Sequence, residues 1–208
     1  MDIVDVQTTW QCSIYNVSAS TDGGETWATN EGVGSTNCVA SAIDANTGWV
    51  FAAGKLKTTS DGGETWEQIT LPAGVWRVSA LSLRTPNEGY LMTPEGVLYT
   101  TADGGATWSS QKIIGEGDYG EMMLLPSDLP SAAIRFPDAD HGVLVMSIAG
   151  GGESKVVALR TSDAGQTWHE ETVPAQVGVP YLSHDGSFLT VTSRLSVGLV
   201  TVLRYTGE

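Results

Sequence analysis

Four aspartates share one local setting and invite a catalytic reading. They lie in Ser20-Thr21-Asp22-Gly23-Gly24-Glu25-Thr26-Trp27, Thr59-Ser60-Asp61-Gly62-Gly63-Glu64-Thr65-Trp66, Thr101-Ala102-Asp103-Gly104-Gly105-Ala106-Thr107-Trp108 and Thr161-Ser162-Asp163-Ala164-Gly165-Gln166-Thr167-Trp168. Carboxylates in pairs can serve as acid and base when two of them flank one substrate bond. The setting argues otherwise. An Asp followed by two small residues between β-rich runs is a hairpin signal, because the carboxylate accepts turn N–H groups and Gly supplies positive φ. Thr and Trp then favour a strand, and an indole suits the space between two sheets.

The four aspartates are 39, 42 and 60 residues apart, and the first two intervals fit a four-stranded propeller blade. Aligned on the octet, Trp10, Trp49 and Tyr90 each open a second strand, preceded in two units by the turns Asp44-Ala45-Asn46-Thr47-Gly48 and Pro86-Asn87-Glu88-Gly89. Pro137-Asp138-Ala139-Asp140-His141-Gly142 takes that place in the fourth unit. Alternating apolar runs at Ile3–Val6, Val39–Ile43, Val78–Leu83 and Ala132–Phe136 read as innermost strands. A fifth unit follows, with strands at Val179–Leu182, Ser187–Thr192 and Gly198–Tyr205. The fold class is therefore all-β, a propeller of antiparallel blades in one domain, 1–208. Its units cover about 1–30, 38–70, 77–113, 131–172 and 179–208. Three closures fit this pattern: a five-bladed ring, which we favour, a piece of a larger ring, or an array completed by a partner or by self-association.

The octet resembles the Asp-box of bacterial neuraminidase repeats, found in β-propellers. That resemblance covers nearly the whole chain and implies the fold. It spans sialidases, xyloglucanases, sorting receptors and the propellers that assist photosystem II assembly, so it implies either a binding module or a glycoside hydrolase. The Arg-Ile-Pro type stretch of sialidases has only a late echo in Ile134-Arg135-Phe136-Pro137.

Ten basic against 24 acidic residues give a net charge of −14, which argues against nucleic acid and anionic lipid as partners. Without an apolar run of membrane-spanning length, no membrane insertion is expected, and an extracellular or periplasmic location is the expectation. Cys12 and Cys38 are either one bridge or two core thiols. His141, His169 and His184 are scattered, so neither a metal nor a cofactor is expected.

Strand order also assigns faces. In an up-and-down blade the first and third turns share one end, and the second turn and the crossing to the next blade share the other. All four boxes are third turns. Their Asp22, Asp61, Asp103 and Asp163 cannot converge at the channel mouth and read as turn formers, with Gly24, Gly63, Gly105 and Gly165 as turn glycines. Trp27, Trp66, Trp108 and Trp168 read as core wedges. The extra length before the fourth box falls on the opposite face, in a crossing at 114–130 and an enlarged second turn at 148–155. Trp76, Arg77, Tyr119 and Arg194 are the candidate binding residues there, for a protein or carbohydrate. Asp118, Glu121 and Glu153 are the candidate acids if the chain is a hydrolase.

Overall fold

The computed structural model describes residues 1–114, 123–124, 131–150, 152–171, 173, 178–193 and 200–204. Its strands are β1 (Asp2–Ile3), β2 (Thr9–Cys12), β3 (Asn16–Ser20) and β4 (Ala28–Glu31) in the first blade, and β5 (Val39–Ala42), β6 (Gly48–Ala52), β7 (Lys55–Thr59) and β8 (Glu67–Ile69) in the second. The third holds β9 (Ala80–Leu83), β10 (Gly89–Met92), β11 (Val97–Thr101) and β12 (Ser109–Lys112). The fourth holds β13 (Met123–Leu124), β14 (Ala132–Arg135), β15 (Gly142–Gly150), β16 (Glu153–Thr161) and β17 (His169–Glu171). The fifth holds β18 (Gly178–Leu182), β19 (Phe188–Ser193) and β20 (Val200–Arg204). Every pairing is antiparallel, giving three four-stranded sheets, one of five strands and, among the described residues, one of three. The chain is a five-bladed β-propeller.

Buried positions follow from what each strand must cover. β6, β9 and β10 are buried on both faces because neighbouring blades lie against both. The outer β12 is exposed throughout and carries Ser109, Ser110, Gln111 and Lys112. One register recurs: Gly48 pairs with Thr59, Gly89 with Thr101 and Gly142 with Thr161, each partner being the first residue of a box. Glycine is required there by close approach, since a Cβ on Gly89 would lie 2.3 Å from the Trp49 ring of the preceding blade.

The second turns do not all match the sequence expectation. The segment 148–155 is not an enlarged loop: β15 and β16 are nine residues long each, and Gly150 pairs with Glu153, so a two-residue connection closes the hairpin. Ile148 and Ala149 extend past the edge covered by β14, and β13 pairs with these two residues. An apolar strand overhanging its neighbour presents unpaired ladder groups, and a short added strand satisfies them.

Cys12 and Cys38 form a disulfide with Cα atoms 5.7 Å apart, joining the end of β2 to the segment that enters β5. The bridge ties the first blade to the second beside Trp10, Val17 and Val50.

Candidate functional site

The boxes resolve into one repeated network. Asp61 accepts the Thr65 N–H at 2.9 Å through Oδ1 and the Thr65 hydroxyl at 2.6 Å through Oδ2, and the Thr59 hydroxyl donates to Oδ1 at 2.7 Å. Thr59 Oγ1 in turn accepts the Gly63 N–H at 2.9 Å. Asp22, Asp103 and Asp163 repeat the pattern with Thr26, Thr107 and Thr167. Gly62 stands at φ 74°, and its counterpart Ala164 is a non-glycine residue in the left-handed region at φ 59°.

The threonine side-chain hydroxyl first, then the threonine N–H and the box Ser/Thr hydroxyl, hold each of these carboxyls at about 2 against an ordinary 3.8. A depressed folded pKa contributes stability that is complete above the unfolded value and lost as pH falls through the folded one. The urea midpoint of the chain is therefore expected to drop between pH 3.8 and about 2. Asp61→Asn should flatten that drop, and an unchanged acid profile would contradict the assignment.

Face assignment follows from hydrogen bonds between turns. Gly23, Gly62, Gly104 and Ala164 of the boxes donate N–H groups to the first-turn carbonyls of Gln7, Asn46, Asn87 and Asp140. At the other end, Gly32 and Gly34 donate to Tyr15, and Ile113 and Ile114 to Gly96, joining the first and third crossings to the second turns of their blades. The expected separation of the boxes from the opposite face is thus built into the backbone.

Three box indoles act as inter-blade wedges. Trp66 packs edge-on against Trp10 at 6.3 Å, Trp108 against Trp49 at 6.1 Å, and Trp168 against Phe136 at 6.0 Å, with Phe136 stacked on Tyr90 at 3.7 Å. Trp27 departs from the expected core wedge. It is 39% exposed, and its indole N–H turns to the Gly24 carbonyl of its own box. Among the described residues no ring of the fifth blade reaches it: Phe188 is 42% exposed and carries Arg204 over its ring at 5.5 Å.

On the opposite face Trp76 is 65% exposed, with the Arg77 guanidinium 5.4 Å from its ring centroid. Gly54 of the second turn of its blade lies beneath the Trp76 carbonyl, so this pair stands beside the β6–β7 connection. Glu153 is exposed at the start of β16, on the same face. Asp118, Tyr119, Glu121 and Arg194 lie outside the described residues. Among the described residues no three His, Cys, Asp or Glu side chains gather as a metal site.

The centre holds a site that sequence reading missed. Asp2, fully buried in β1, pairs with Arg135 of β14 and accepts the Ala42 N–H of β5 at 2.8 Å. Arg135 also donates to the Leu81 carbonyl of β9 at 3.4 Å. One ion pair thus touches the inner strands of four blades. Burial first and the Asp2 charge second push the Tyr181 hydroxyl up, which brings the fifth blade's β18 to the same hub.

With five blades, the box network and the inter-blade indoles defined, the family can be assigned. A profile described as the DUF6242 beta propeller domain matches residues 4–168. The chain belongs to this family. No curated protein sequence matches it. Among solved structures, a structure of YCF48 bound to a D1 peptide is 17% identical over 91% of this chain and 86% of that one, with a TM-score of 0.49. An ancestral GH74 enzyme is 16% identical with a TM-score of 0.52, over 92% of this chain and 28% of that one. Virginiamycin B lyase from Staphylococcus aureus is 9% identical with a TM-score of 0.51, over 99% of this chain and 84% of that one. At such identities the likeness shows the fold of this DUF6242 propeller and nothing finer.

Proposed function

We propose that the chain is a non-catalytic recognition module that takes a protein or glycan on the face of second turns and blade crossings. The observation carrying this reading is the Trp76–Arg77 pair, a largely exposed indole with a guanidinium over its ring. An aromatic and an arginine in one patch have the composition of an interface hot spot, offering apolar area, a stacking face and charged donors together. The Cys12–Cys38 bridge supports an extracellular or periplasmic setting.

A glycan array and a peptide library, read with wild type and Trp76→Ala, test the proposal. The variant is expected to lose about 10- to 100-fold in affinity for whichever class binds, with unchanged thermal stability. Turnover of any glycoside that Asp118→Asn or Glu121→Gln abolishes would overturn it and install the hydrolase reading.

A further inference from the structure

The first turns of the first three blades share one backbone contact, and in the third its chemistry changes. The residue that follows the inner strand donates its N–H to a carbonyl further along the turn: Val4 to Thr8 at 3.0 Å, Ile43 to Thr47 at 3.0 Å and Arg84 to Glu88 at 2.9 Å. In the first two blades an apolar residue and a threonine hold these places, and Val4 and Ile43 pack against apolar clusters. The third blade puts a partly buried ion pair there, Arg84 with Glu88.

The ring that closes the seam changes in the same blade. Trp10 donates its indole N–H to the Asp44 carbonyl in the first turn of the next blade at 3.1 Å. Tyr90 holds that register in the third blade, pairing with Thr100 as Trp10 pairs with Ala19. Burial pushes its hydroxyl pKa up, and the Arg84 charge beside it works the other way. A cavity of about 470 Å³ opens at this seam on the face of the boxes, between the outer hairpin of the third blade and the first turn of the fourth. That volume falls within the roughly 300–1,000 Å³ of ligand pockets. Arg84, Glu88 and Tyr90 line it from one blade and Asp140 from the next.

The lining selects by charge. A simple anion is repelled by the Glu88 and Asp140 carboxylates. A simple cation leaves Arg84 unanswered, and its Nε is buried without a hydrogen-bond partner, a donor that a ligand carboxylate satisfies once the guanidinium turns toward the cavity. A sugar gains most from an open ring face, yet Tyr90, the one aromatic in the lining, is 7% exposed. A molecule carrying both charges meets both kinds of partner. In an α-amino acid the ammonium and carboxylate hang from one carbon, as close together as the charges of a contact ion pair, so the zwitterion can lie antiparallel beside Arg84 and Glu88. We propose that this cavity binds a free α-amino acid, its carboxylate on Arg84 and its ammonium between Glu88 and Asp140. The methyls of Ala139 and Ala164 border the volume left for its side chain.

The test titrates the twenty common L-α-amino acids singly into the full chain at neutral pH by isothermal titration calorimetry. At least one is expected to bind saturably at one site per chain. The amine and the carboxylic acid that each retain one of its two charged groups should bind at least about tenfold more weakly. Arg84→Ile with Glu88→Thr installs the pair found in the second blade, removes both charges together, and should weaken binding at least about tenfold. Hydrogen exchange on the unmodified chain gives a readout independent of that variant's folding, because the bound amino acid should slow the amides of 84–88 and 138–141. No saturable binding, equal binding of either one-charge analogue, full affinity in the double variant, or protection confined to other segments would each overturn the proposal. A monosaccharide that bound where amino acids did not would overturn it as well and give the cavity to a sugar.

Discussion

Arg135→Met is expected to destabilise the chain by about 3–5 kcal/mol, a large share of the roughly 5–15 kcal/mol typical of a folded domain. The loss comes less from the missing attraction than from what stays behind. The Asp2 carboxylate has no solvent exposure, and without the guanidinium it keeps the Ala42 N–H at 2.8 Å but loses its paired charge on β14. A buried charge stripped of its partner bears the whole desolvation cost, whereas removing both charges is often close to neutral. Asp2→Asn with Arg135→Met retains a carbonyl acceptor for Ala42 and removes both charges. It should therefore recover at least about 1 kcal/mol relative to Arg135→Met alone. Urea unfolding of the four members of this cycle provides the measurement. A double variant as unstable as the sum of the two single ones would show that the pair is not coupled.

That hub shows where sequence reading stops. The boxes were legible because an Asp with its Thr, Gly and Trp neighbours is a local device, complete within eight residues, and its recurrence fixed strand order and the two faces. Asp2 and Arg135 are 133 residues apart and meet because the inner strands of two blades converge on the axis. Nothing in either neighbourhood announces the other, and Arg135 in the sequence looked like a displaced fragment of a sialidase signature. The added length at 148–155 lies on the fourth blade, on the face opposite the boxes, as strand and not as loop. Its Gly-rich centre signals a turn, while the apolar residues before it extend the strand. Trp27 misled for a related reason. Its octet predicts a wedge as surely as the other three, yet a wedge needs a neighbouring blade that presents a ring to it, a property of the fifth blade and not of the box. Trp76 stands outside the repeat register of the other tryptophans, and in the structure it is 65% exposed on the face of second turns and crossings.

Trp49→Ala is expected to cost about 3–5 kcal/mol, since it removes a fully buried indole from the seam of the second and third blades. Trp49 belongs to one apolar cluster with Leu81, Leu83 and Leu91, and its ring meets Trp108 edge-on at 6.1 Å, so both the apolar burial and the aromatic contact are lost. Gly89→Ala should cost about 1–3 kcal/mol through the opposite fault, because its new methyl would sit 2.3 Å from the Trp49 ring. The two lesions are complementary. Once the indole is gone, the methyl of Gly89→Ala has room and occupies part of the cavity. The double variant should then be more stable than the sum of the single losses by about 1–2 kcal/mol. Urea midpoints at constant m-value measure that coupling. Strict additivity would mean that Gly89 is glycine for a reason other than the Trp49 ring. The recurrence of the pair as Trp10 over Gly48, with ring atoms 3.3 Å from a Cβ at that glycine, argues that contact between blades selects it. A glycine at the start of one blade's second strand and an aromatic in the blade before it are thus one interblade joint.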